Sequence, residues 1–172
     1  IVSPYFWIPA DNLATRVRRD HVPYDIWDQQ GYIKTTEGNV VHYGFIEAFI
    51  EELNTAYNIK EIAFDRWGAV QMVQNLEGMG FTVVPFGQGY KDMSPASKEL
   101  MKLVLEKKVS HGGNPVLRWM MDNIYVKTDP AGNIKPDKEK STDRIDGAVA
   151  LIMALDRAIR NGGYSGSVYD QR

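Results

Sequence analysis

Between residues 43 and 86 the hydrophobic pattern changes period three times, and this alternation limits the fold more than any single motif. Residues 43–57 carry Ile46, Phe49, Ile50, Leu53 and Tyr57 at helical spacing, which predicts an amphipathic helix with one core-facing stripe. Residues 61–65 follow as a short strand with Ile62 and Phe64 apolar. Residues 66–79 return to helical spacing through Val70, Val73 and Leu76 and are closed by Gly80. Residues 81–86 form a second apolar strand. Helix, strand, helix and strand in that order predict parallel strands joined by crossover helices, an α/β fold. The chain has 172 residues, 44% of them hydrophobic, which is enough for one sizeable core.

The flanking segments extend this plan. Residues 2–8 read as a strand that stops at Pro9, with its preceding partner expected upstream of residue 1. Short helices are expected at 11–19 and 23–30. A small hairpin is expected from 32–35 and 39–41 around Glu37-Gly38. Ser94-Pro95 and Asn114-Pro115 each read as a cap followed by a first-turn proline, opening helices whose buried faces hold Leu100 and Val104, and Leu117 and Met120. Residues 124–127 look extended, and the turn Pro130-Ala131-Gly132-Asn133 predicts a hairpin. The last helix is expected from Asp143 to about Arg160. Residues 148–155 are apolar almost all round, which predicts burial on most sides, and a flexible tail is expected over 161–172.

Composition narrows the chemistry. With no cysteine, disulfides and thiolate metal sites are excluded. No apolar run reaches the roughly 20 residues that span a bilayer. The start, Ile1-Val2-Ser3-Pro4, resembles neither a signal peptide nor a translation start, so an excised piece of a longer protein is expected. A formal net charge of −2 gives no global attraction for nucleic acid. Any DNA surface is therefore local. The candidate is Lys135, Lys138, Lys140 and Arg144, a sequence-independent phosphate clamp. The ordinary alternative is a solvated loop, with Asp137, Glu139 and Asp143 interspersed among the basic residues. No Walker A pattern is present, so ATP hydrolysis is not assigned to this chain.

Three acids stand out. Asp65 closes an expected central strand, where α/β sheets place their ligands; a turn or helix-capping role is the alternative. Asp143 and Asp146 are three apart, which puts both on one side of a helix's first turn, where paired oxygen ligands suit Mg²⁺ or Mn²⁺. Their alternative is capping and the helix dipole. Asp146 leads into the apolar segment and is therefore expected near the core, in need of a partner. His111, in Ser110-His111-Gly112-Gly113-Asn114, is an auxiliary candidate for proton transfer or phosphate contact, against a surface or hydrogen-bonding role.

Several ordered motifs then bear on identity. They are Glu61-Ile-Ala-Phe-Asp65-Arg66-Trp67, Phe86-Gly-Gln88-Gly89 with Met93-Ser94-Pro95, His111-Gly-Gly-Asn114-Pro115, and Pro130 to Lys138 followed by Ser141-Thr-Asp143-Arg-Ile-Asp146-Gly147. Together they resemble the C-terminal half of large terminase subunits of tailed phages, over the chain up to about residue 160. The resemblance implies an RNase H-like mixed sheet flanked by helices, with a β-hairpin before the last helix. It implies a nuclease domain over 1–160 whose first strand, and the ATPase domain, lie outside this chain. Site acids are then expected on a first strand, a central strand and the last helix. Asp65 and Asp146 match the second and third, with Asp143 auxiliary, and the first-strand acid has no match here. The implied activity is two-metal cleavage of concatemeric double-stranded DNA with Mg²⁺ or Mn²⁺ in the host bacterial cytoplasm. The implied partners are DNA, an ATPase domain, a portal protein and the small terminase subunit. Competing readings are another RNase H-like nuclease of resolvase or transposase type, and a non-catalytic DNA-binding or motor-docking module.

Overall fold

The computed structural model describes residues 1–65 and 70–162. In chain order the elements are β1 (Trp7–Pro9), α1 (Leu13–Asp20), α2 (Tyr24–Gln29), β2 (Lys34–Thr36), α3 (Tyr43–Ala56), β3 (Ile62–Asp65), α4 (Val70–Gly78), β4 (Val83–Phe86), α5 (Tyr90–Leu105), α6 (Pro115–Asp122), β5 (Val126–Thr128), β6 (Ile134–Pro136) and α7 (Asp146–Asn161). The α/β class with a hairpin before the last helix is what the sequence pattern predicts. Among the described residues the strands form three two-stranded sheets: β1 with β2, parallel; β3 with β4, parallel; and β5 with β6, antiparallel. The β3–β4 pair joined through α4 is the expected crossover, with Asp65 opposite Phe86 at its C-terminal end. The start of the expected 66–79 helix and most of the expected tail lie outside the described residues, and Asn161 still belongs to α7.

Four expectations are corrected. No hairpin forms over 32–41, because β2 pairs in parallel with β1: the Lys34 N–H donates to the Phe6 carbonyl, and the Ala10 N–H to that of Thr36. Long-range pairing thus outcompetes the local turn, and Gly38 (φ 85°) simply turns the chain away. Second, α5 begins at Tyr90 rather than after Ser94, which puts Pro95 inside the helix. The Ser94 hydroxyl, freed from capping, accepts the Ile134 N–H at 3.1 Å and fastens the hairpin to α5. Third, α7 starts at Asp146, with buried Ile145 in the capping position and Asp143 in the preceding bend. Fourth, α7 buries one face only, through Ala148, Val149, Ile152, Met153 and Asp156, and leaves Ala150, Ala154 and Ala158 exposed.

The buried face of α7 joins Phe86, Met93, Ala96 and Leu100 in the core cluster on which β4 and α5 close. Burial of side chains the size of Val149, Ile152 and Met153 stabilises by about 1.5–3 kcal/mol each. A second cluster holds Ile8, Val22, Trp27, Ile33 and Met120, with the Trp27 and Trp119 rings 5.5 Å apart. The two clusters meet at Gly147. A Cβ there would lie 2.6 Å from the Phe6 ring and 2.9 Å from the Met120 sulfur, so this turn of α7 approaches its neighbours only without a side chain. At the other end of α7, Arg157 Nε donates to Glu61 Oε2 at 2.6 Å and ties the helix to the start of β3. Asp156, the one buried acid on the apolar face, accepts two bonds from Arg160.

Two consequences are testable. Gly147→Ala is expected to destabilise the fold by about 1–3 kcal/mol through overpacking, read as a lowered urea midpoint. The hydrogen bond from Arg157, assisted by Asn161, holds the Glu61 carboxyl below its usual range. A depressed carboxylate contributes stability above its unfolded pKa and loses it as the pH falls through the folded value. Arg157→Gln is therefore expected to be less stable than the parent near neutrality, and to lose less on acidification across the carboxylate range. Urea midpoints along the acid limb check both.

Candidate functional site

β3 and α7 run in opposite directions, with Glu61 beside Arg157 at one end, and so bring Asp65 and Asp146 to the other. Both line one open cleft of about 670 Å³, together with Gln88, Lys138 and the alanine row of α7. Asp65 arrives as the last residue of β3. Asp146 arrives as the first residue of α7, where the helix dipole favours a carboxylate. Its side chain is 67% exposed, so the expected position near the core is corrected to the cleft surface. The helix turns its Ala148–Val149 face inward and leaves this acid outside.

Each carboxylate has a named partner. Gln88, two residues beyond β4, donates from Nε2 to Asp65 Oδ2 at 2.6 Å. Lys138 Nζ lies 3.2 Å from Asp146 Oδ1. Lys138 owes its position to Asp137, which had read as one acid of a solvated loop. Asp137 is buried, and its Oδ1 accepts the N–H groups of Glu139 and Lys140 at 3.0 and 3.3 Å. Its carbonyl accepts from Ser141, whose hydroxyl in turn accepts the Tyr125 N–H. Burial pushes the Asp137 carboxyl up, and the two backbone donors and Lys127 more than reverse this, holding it below the usual range. The chain just after β6 is thereby folded into a fixed turn that presents Lys138 to Asp146.

The other candidates are dispersed. Asp143 is not brought to the cleft lining with Asp146; its Oδ1 caps the Arg144 N–H at 2.7 Å, because the helix begins three residues later than its spacing implied. His111 lines a separate cavity of about 230 Å³ with Leu100, Leu117 and Met121, and this cavity shares no lining residue with the cleft. Of the basic set, Lys138 alone lines the cleft. Lys135 Nζ donates to the Gln88 carbonyl at 3.1 Å and lies 5.5 Å from the centre of the Tyr90 ring. Lys140 lies over Tyr125, and Arg144 reaches Asp20 at 3.9 Å. Gln88 was missed because an uncharged side chain in a glycine-rich loop carries no spacing signal. Only the β3–β4 register places it beside Asp65.

Chemically, beyond Glu61, which Arg157 holds at the far end, the cleft offers the carboxylates of Asp65 and Asp146 from distant parts of the chain, one beside a carboxamide and the other beside an ammonium. Carboxylates are hard donors that suit Mg²⁺ or Mn²⁺, and Asp146 already accepts one cation, Lys138. Among the described residues no three His, Asp or Glu side chains converge as a complete cage. No helix of the described residues is long and apolar enough to cross a membrane.

Comparison with known proteins accords with this architecture. Residues 2–161 match the family described as terminase large subunit, endonuclease domain. The large terminase subunit of Enterobacteria phage HK97 is 42% identical over 159 residues, covering 91% of this chain and 32% of the relative. Protein YmfN of Escherichia coli K12 is 33% identical over 164 residues, 92% of this chain and 36% of YmfN. The crystal structure of the HK97 large terminase superposes with a TM-score of 0.81, covering 88% of this chain and 32% of that one. The chain thus spans about a third of the length of these relatives. With the match running from β1 through α7 and the fold agreeing with the solved relative, the chain belongs to the endonuclease-domain family of terminase large subunits.

Proposed function

We propose that this domain is a metal-dependent endonuclease that hydrolyses phosphodiester bonds of double-stranded DNA during phage genome packaging, with Asp65 and Asp146 as ligands of Mg²⁺ or Mn²⁺. The observation that carries the reading is their convergence: the end of β3 and the start of α7 deliver two carboxylates to one open cleft. A bound divalent ion would supply Lewis-acid polarisation of the phosphate and a lowered pKa for an attacking water. The protein's own groups prepare that chemistry. Gln88 fixes Asp65. Lys138 brings positive charge to the place a phosphate enters and can exchange Asp146 for it, since exposed ion pairs are weak.

A third carboxylate is implied by the family resemblance, on a strand upstream of residue 1. Its natural path is the second edge of β3, which pairs with no strand among the described residues and belongs to the strand that lines the cleft with the exposed Ala150, Ala154 and Ala158. In the full protein the reading extends to cleavage of concatemeric DNA in the host cytoplasm, beside an ATPase domain, a portal protein and the small terminase subunit.

Mn²⁺-dependent nicking of supercoiled plasmid tests the proposal, with this chain compared with one extended upstream through the preceding strand. Asp65→Asn and Asp146→Asn are each expected to lower cleavage by at least about 100-fold, beyond the 10–100-fold that losing an outer partner costs. Circular dichroism should remain unchanged. Full activity in either variant refutes the site. Inert protein in both lengths, with DNA binding retained, turns the reading to a non-catalytic DNA-binding module.

A further inference from the structure

The two cleft carboxylates are held by one short stretch of chain. Lys135 lies in β6 and Lys138 just beyond it. Lys138 contacts Asp146 directly at 3.2 Å, whereas Lys135 reaches Asp65 through an intermediary, donating to the Gln88 carbonyl while the Gln88 carboxamide donates to Asp65 Oδ2. The stretch is itself anchored. The Ile134 N–H is bonded to Ser94 on α5, and the turn after Pro136 is closed by Asp137. The loop that bears Gln88 is fixed on both sides, by buried Phe86 at the end of β4 and by Gly89, whose carbonyl accepts the Met93 N–H as α5 begins. A glutamine side chain has three rotatable bonds. Clamping its backbone at one carbonyl and its amide at one carboxylate removes most of that freedom before any ligand arrives.

We propose that Gln88 is a positioning residue for Asp65, and that Lys135 sets it in place from β6. The inference rests on the reading of Asp65 and Asp146 as ligands of a divalent ion. An N–H donated to Oδ2 fixes the rotation of the Asp65 carboxyl group and leaves its other oxygen lone pairs aimed in a set direction, as partners in the outer shell of a metal site do. Lys135 is accordingly engaged by the protein's own groups, and the hairpin serves to hold the cleft carboxylates. Displacing β6 would release both carboxylates together.

The test is Mn²⁺ binding by isothermal titration calorimetry, without DNA, on the parent, Gln88→Leu, Gln88→Glu, Lys135→Met and Asp146→Asn. Gln88→Leu keeps the bulk and removes the donor, and its Mn²⁺ affinity is expected to fall about 10–100-fold at an unchanged melting temperature. Lys135→Met is expected to fall in the same direction by less. Gln88→Glu sets a second carboxyl against Asp65, so the pH dependence of binding should shift, which a merely structural role would not produce. If the parent binds Mn²⁺ and Asp146→Asn weakens it while Gln88→Leu binds as tightly as the parent, the positioning role is overturned and the metal site stands. If the parent binds no Mn²⁺, the metal reading fails and this inference fails with it.

Discussion

The close approach of α7 to Phe6 and Met120 at Gly147 is the contact on which the remaining architecture depends. It joins the two hydrophobic clusters, and it fixes where α7 begins its path across β3. Because the Arg157–Glu61 pair sets the opposite end, the helix is held at two points along its length. Between them its apolar side chains bind α5 and β4. Asp146 stands one residue before the tight turn, so packing sets where its backbone lies, and Lys138 then orients its side chain. A steric requirement for a hydrogen atom thus helps to set the position of a carboxylate.

The sequence was legible where a segment's own periodicity agreed with its surroundings. The β3–α4–β4 crossover, the Asn114 cap with its bond to Leu117 N–H, and the 126–136 hairpin all follow from local pattern. It misled where distant partners took over. The Glu37-Gly38 turn yielded to pairing of β2 with β1, and Ser94 exchanged a capping role for a bond to the hairpin forty residues on. The site shows the same division. Asp65 and Asp146 could be singled out by their places at element ends and by family resemblance. The burial of Asp137, the reach of Gln88 and the separation of His111 from the cleft depend on tertiary register, which no window of residues contains.

Charge in this domain is managed pair by pair. A net charge of −2 conceals a cleft in which Glu61, Asp65 and Asp146 face Arg157, Gln88 and Lys138 in turn. Such pairing has little value for stability where the groups are exposed. It does preset orientation: each acid is held by a group that an anionic substrate or a cation could replace. The hairpin, which composition suggests is a simple basic clamp, instead divides its lysines among a backbone carbonyl, a carboxylate and the Tyr125 ring.

The open side of β3 has a further meaning. A strand edge that pairs with no strand among the described residues is a template on which an extended polypeptide can add by backbone hydrogen bonds. The sequence along that edge sets the terms of entry: Lys60 and Glu61 stand at one end and Asp65 at the other, with only Ile62, Ala63 and Phe64 between. An apolar segment long enough to pair along the whole edge must bury a charge at each end, which hydrocarbon does not repay. Charges at both ends of so short an edge disfavour the long apolar strands from which aggregates grow.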